Sequence, residues 1–83
     1  MPPETPSPAS LHAFGEALRL ARFRKRLSLR TLAALLGLQS HATVHRWEHG
    51  LKRPLKPETL HALATVLDVP VSEFVAALYG ESA

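Results

Sequence analysis

Gly37, Gly50, Pro57, Pro70 and Gly80 punctuate this chain so closely that only short elements fit between them. A glycine just past a helical run can end it, and a proline suits the first position of the next. Between these breaks apolar residues recur at helical spacing. Leu11, Phe14, Leu18 and Ala21 form one stripe, which Leu20 and Phe23 would widen. Leu32, Ala33 and Leu36 form a second, and Leu60, Leu63, Ala64 and Leu67 a third. Val71, Phe74, Val75 and Leu78 form the last. No segment sustains period-two alternation, and no internal repeat is present. The pattern predicts an all-α domain of five short helices around one core. Ser10 would cap a helix over 11–26 and Ser28 one over 29–36. A third would lie at about 40–49, a fourth would start at Pro57, and a fifth would run over 71–79.

Eighty-three residues, 46% of them apolar, suffice for one small domain. Without cysteine the chain has no disulfide or thiolate-bound metal, which suits a reducing compartment. No apolar run approaches the roughly 20 residues that span a bilayer. Met1-Pro2-Pro3-Glu4 carries neither the basic nor the apolar part of a signal segment. A soluble, cytoplasmic, nucleoid-associated protein with no membrane partner is expected. Pro2, Pro3, Pro6 and Pro8 crowd residues 1–9, predicting a disordered leader ahead of a domain over 10–80.

Charge is segregated. All ten Lys and Arg lie between Arg19 and Lys56, with Glu48 the only acid among them, a net +9; the flanks carry six acids and no base. A solvated surface needs no such division, whereas a polyphosphate partner does. Part of the run from Arg22 to Arg26 has a second use, since cations stabilise the carboxyl end of a helix.

The segment 40–50 joins the two signals. Wound as a helix, it opens on Ser40 and closes on Gly50. Val44, Trp47 and Glu48 share a stripe with Leu51 beyond, and Ala42, His45, Arg46 and His49 lie opposite. One side suits a protein body, and the other offers hydrogen-bond donors without an acid. Preceded by a short helix and a turn with Gly37, this is a helix-turn-helix pattern, its second helix suited to the major groove of DNA.

Several motifs together resemble the phage lambda repressor/Cro-like, or XRE-type, family. They are Phe14-Gly15-Glu16-Ala17-Leu18-Arg19 leading to Arg22, then Leu27-Ser28, Leu32-Ala33 and Gly37. Thr43-Val44, Trp47-Glu48, Gly50 and Pro54 follow, then Leu60, Leu63-Ala64, Leu67, Val69 and Phe74. The likeness covers about residues 11–78. It implies a compact five-helix lambda-repressor-like domain whose helices 2 and 3 bind double-stranded DNA, usually as a homodimer. By the same resemblance, His41, Ala42 and Arg46 would read bases. Ser40, Thr43, Lys52 and Arg53 would meet phosphates, and Arg22 would pair with Glu48. The chain departs from the family twice. It is one residue longer between Gly37 and Gly50, near Gln39, and Leu29 replaces the phosphate-binding Gln that commonly opens helix 2. Arg30 is the candidate substitute.

Residue chemistry supports and limits these roles. A guanidinium such as that of Arg46 fits guanine O6 and N7 bidentately. His45, on the same face, is a further base-reading candidate. Trp47, spaced helically from Val44, belongs in a core rather than under a base. His41, His45 and His49 are four apart, yet no Cys or convenient carboxylate completes a metal site, so no metal or cofactor is expected. With no Gly-rich phosphate loop, Cys nucleophile or close carboxylate pair, an enzyme is not expected either. The reading is a sequence-specific transcriptional regulator, a repressor, with the fifth helix and Tyr79 as candidate dimer interface. The alternative is an antitoxin-type module that neutralises a protein partner and autoregulates its operon. The +9 segment favours DNA.

Overall fold

A computed structural model describes residues 6–80. Its five helices are α1 (Pro8–Arg24), α2 (Leu29–Leu35), α3 (Ala42–Glu48), α4 (Pro57–Leu67) and α5 (Val71–Tyr79). α1 is the central element, packing on α3 and α5, while α4 packs on α5 and α2 on α3.

The start of α1 corrects the expected boundary. Ser7, not Ser10, is the cap, its Oγ accepting from the Ser10 N–H at 3.1 Å, and Pro8 is the first helical residue. Proline costs a helix nothing there, because that N–H has no intrahelical partner anyway. Ser7-Pro8 thus starts a helix that a plain count of prolines excludes. The expected leader loses Pro8 and Ala9 to α1, and its residues 1–5 lie outside the described residues.

α1 also stops two residues before the expected end. Lys25 is its cap and Arg26 turns left-handed at φ 56°, with Arg26 N–H donating to Phe23 O and Leu27 N–H to Arg22 O. The same closure ends α2 at Gly37 (φ 74°), α3 at Gly50 (φ 71°) and α4 at Asp68 (φ 58°). Ser28 Oγ then caps α2, accepting from Thr31 N–H at 3.0 Å.

Every helix contributes to one core: Phe14, Leu18 and Ala21, Leu32 and Ala33, Val44 and Trp47, Leu60, Leu63, Ala64 and Leu67, Phe74 and Leu78. Phe14 and Phe74 meet edge to face with centroids 5.5 Å apart, joining α1 to α5. Four expected core residues are exposed instead. Leu20 (48%) and Phe23 (56%) lie across α1 from the Phe14–Leu18–Ala21 stripe, because steps of 100° carry them to the far side. Val75 falls at the edge of the α5 stripe and is exposed. Leu51 is 67% exposed, since the reversal at Gly50 ends the helical register that would have aligned it with Trp47.

Candidate nucleic-acid interface

α3 is held from its inner side by three kinds of contact. Val44 and Trp47 enter the core. Glu48, its side chain only 4% exposed, receives Arg22 bidentately, with Nε 2.6 Å from Oε2 and Nη2 3.0 Å from Oε1. Arg22 Nη1 donates to Leu27 O at 2.8 Å, so one guanidinium ties α1 to α3 and to the turn before α2. Among the described residues no buried side-chain N or O lacks a partner. A fully bonded buried pair of this kind costs little to keep and much to split.

The third contact is backbone against backbone. A Cβ on Gly15 would fall 2.6 Å from Trp47 O and closer still to Glu48 O. Only glycine lets α1 approach α3 this closely. A glycine inside a helix costs roughly 1 kcal/mol relative to alanine, and that anomaly is the sequence signal for the approach. A role for Gly15 beyond the motif is not among the sequence expectations.

The outer side of α3 is polar. His45, Arg46 and His49 are exposed, and His41, Ala42 and Thr43 are half-buried along its start. The His45 and His49 rings lie over one another, centroids 4.2 Å apart. The helix begins two residues after Ser40, with His41 already at helical dihedrals. Ser40 Oγ still accepts the Ala42 N–H at 3.1 Å, leaving the hydroxyl proton free to donate outward. A groove of about 210 Å³ between α2 and the start of α3 is lined by Arg30, Ala33, Ala34, Leu38, Gln39 and His41. The candidate phosphate ligand Arg30 and the candidate base reader His41 thus border one surface. Gln39, at the position of the extra residue, borders it too.

The loop after α3 carries the remaining candidates. Lys52 is exposed, whereas Arg53 is half-buried and donates from Nη1 to the Tyr79 hydroxyl at 2.9 Å. The sequence offers no pattern linking residues 53 and 79, and that contact is visible only in the fold.

The comparisons with known proteins fall on the same elements. The family model described as a helix-turn-helix domain matches residues 13–77. A curated relative, the uncharacterized HTH-type transcriptional regulator RghRB of Bacillus subtilis (strain 168), is 39% identical over 64 residues. The match covers 77% of this chain and 45% of that relative, so the chain spans less than half of its length. Among solved structures, the restriction-modification controller protein C.AhdI from Aeromonas hydrophila is 39% identical with a TM-score of 0.70, over 80% of this chain and 97% of that one. SinR, a master regulator for biofilm formation solved in complex with DNA, is 26% identical with a TM-score of 0.67, over 75% and 97%. The hydroxypropylphosphonic acid epoxidase of S. wedmorenis is 28% identical with a TM-score of 0.73, over 82% of this chain but only 35% of the enzyme. Five helices in this packing, a helix-turn-helix at α2 and α3, and a family model spanning all but the ends of the domain converge: the chain belongs to the helix-turn-helix domain family, in its lambda repressor/Cro-like (XRE-type) branch.

Proposed function

We propose that the chain binds double-stranded DNA sequence-specifically and regulates transcription as a repressor, acting as a homodimer with α3 in the major groove. The observation that carries the reading is the two-sided build of α3. Val44, Trp47 and Glu48 anchor it, while His45 and Arg46 stand exposed within a segment of net +9 charge. His41, Ala42, His45 and Arg46 read base edges; Ser40, Thr43, Arg30, Lys52 and Arg53 meet the phosphates. One helix of seven residues reads too few bases for useful discrimination, and a second copy on a two-fold site supplies the rest. C.AhdI and SinR, whose names or descriptions mark them as a controller and a regulator, support the assignment by similarity.

Selection of bound sites from random duplex DNA tests the whole reading. The expected product is a near-palindrome with half-sites about one helical turn, or a multiple of it, apart. Enrichment of no sequence, with tight binding to a protein partner instead, would replace it with the antitoxin-type reading.

A further inference from the structure

The loop between α3 and α4 has almost no backbone scaffold of its own. Leu51 N–H bonds back to Arg46 O at 2.9 Å, and Thr59 N–H to Lys56 O at 3.0 Å. Between them, among the described residues, the N–H groups of Lys52, Arg53 and Leu55 make no backbone hydrogen bond. Side chains hold this loop instead. Pro54 is buried, and Arg53 reaches the last residue of α5, its Nη1 2.9 Å from the Tyr79 hydroxyl and its guanidinium carbon 6.0 Å from the ring centroid. The contact occupies one of the five guanidinium N–H donors, so the others stay available. Because its oxygen accepts from Arg53, Tyr79 keeps its own hydroxyl proton free to donate.

We propose that Tyr79 is a positioning residue for the phosphate contacts of this loop. By accepting from Arg53 it pins the loop to the end of α5, so that Arg53 and the neighbouring Lys52 meet the DNA backbone already ordered. The proposal rests on the DNA-binding reading above and adds a role for a residue on an element remote in sequence. Ordering a long side chain only on binding costs affinity, which an arginine already held in place avoids.

The test is a cycle of wild type, Tyr79→Phe, Arg53→Ala and the double variant. Each is titrated by fluorescence anisotropy against the selected duplex and an unrelated one at several salt concentrations. Tyr79→Phe keeps the ring and removes only the hydroxyl, the acceptor for Arg53 and its own donor proton together. It should weaken binding to both duplexes about two- to ten-fold, with the salt slope and urea midpoint unchanged. In the Arg53→Ala background it should cost nothing more, and Arg53→Ala alone should shallow the slope by about one. Wild-type affinity in Tyr79→Phe would overturn the proposal. So would an equal loss with and without Arg53, as would arise if Tyr79 acted only through self-association, which sedimentation of the same samples reads directly. Absence of salt-dependent duplex binding by the wild-type chain would instead remove the DNA reading, and the role of Tyr79 with it.

Discussion

Splitting the Arg22–Glu48 pair should remove a large share of this domain's stability, while replacing both partners should not. A domain of 83 residues has roughly 4–12 kcal/mol of stability at 0.05–0.15 kcal/mol per residue. Glu48→Leu strands a guanidinium whose side chain is 10% exposed and leaves it the Leu27 carbonyl as hydrogen-bond partner and the Phe23 ring at 4.8 Å. Arg22→Met strands a carboxylate that is 4% exposed. Removing one partner of such a pair costs about 3–5 kcal/mol, because the survivor is desolvated without compensation. For a domain of this size that is a fall of more than about 10 °C in Tm. Arg22→Met/Glu48→Leu strands nothing and fills the space with apolar atoms, so it should regain most of the loss. Urea unfolding followed through Trp47, the single tryptophan and a core residue, measures all three variants. Additive losses in the double variant would refute the reasoning, since they would mean that the pair is not a coupled unit.

Three further outcomes follow from the geometry around α3. Gly15→Ala should destabilise by about 1–3 kcal/mol by overpacking, despite alanine's better helix propensity, and urea unfolding separates the two signs. Arg46→Ala should relax base preference at one position per half-site by about 1–3 kcal/mol, read by repeating the site selection. The third concerns His41 and His45, both assigned to base reading: His41→Gln/His45→Gln should alter the selected half-site, and an unchanged site would remove both from the readers.

Much of this arrangement is legible along the chain because it depends on neighbours in sequence. The stripes Phe14–Leu18–Ala21 and Leu60–Leu63–Leu67 and the turns at Gly37 and Gly50 each involve residues within a few positions of one another. What escapes is of two kinds. Where a helix starts depends on which proline is tolerated, and Pro8 is tolerated because it takes the first helical position, where no intrahelical N–H is lost. Left-handed ends at Arg26 and Asp68 carry no glycine to mark them, so the first helix reads two residues too long. The other kind is distant in sequence. Helical spacing does not place Arg53 against Tyr79, or the Gly15 backbone against the carbonyls of Trp47 and Glu48. Both arise from how α1, α3 and α5 cross.

The basic segment must therefore be divided by use before its charge is turned into DNA affinity. Arg22 spends its donors inside the fold on Glu48 and Leu27. Arg19 pairs with Glu16 at 3.5 Å and Lys25 with Asp68 at 3.8 Å, both in exposed pairs of the kind worth about 0–1 kcal/mol. Arg24, Arg26, Arg30, Arg46, Lys52 and Lys56 are exposed and make no ion pair or side-chain hydrogen bond among the described residues. A cation releases counterions only if it reaches phosphate, so stability and salt dependence should separate by residue. Lys52→Ala should leave the urea midpoint unchanged and shallow the plot of log affinity against log salt by about one. Arg22→Met/Glu48→Leu, which removes a cation from the same segment, should keep the wild-type slope even if its affinity falls through a shifted α3. Equal shallowing in the two would place Arg22 among the phosphate ligands and contradict its burial against Glu48.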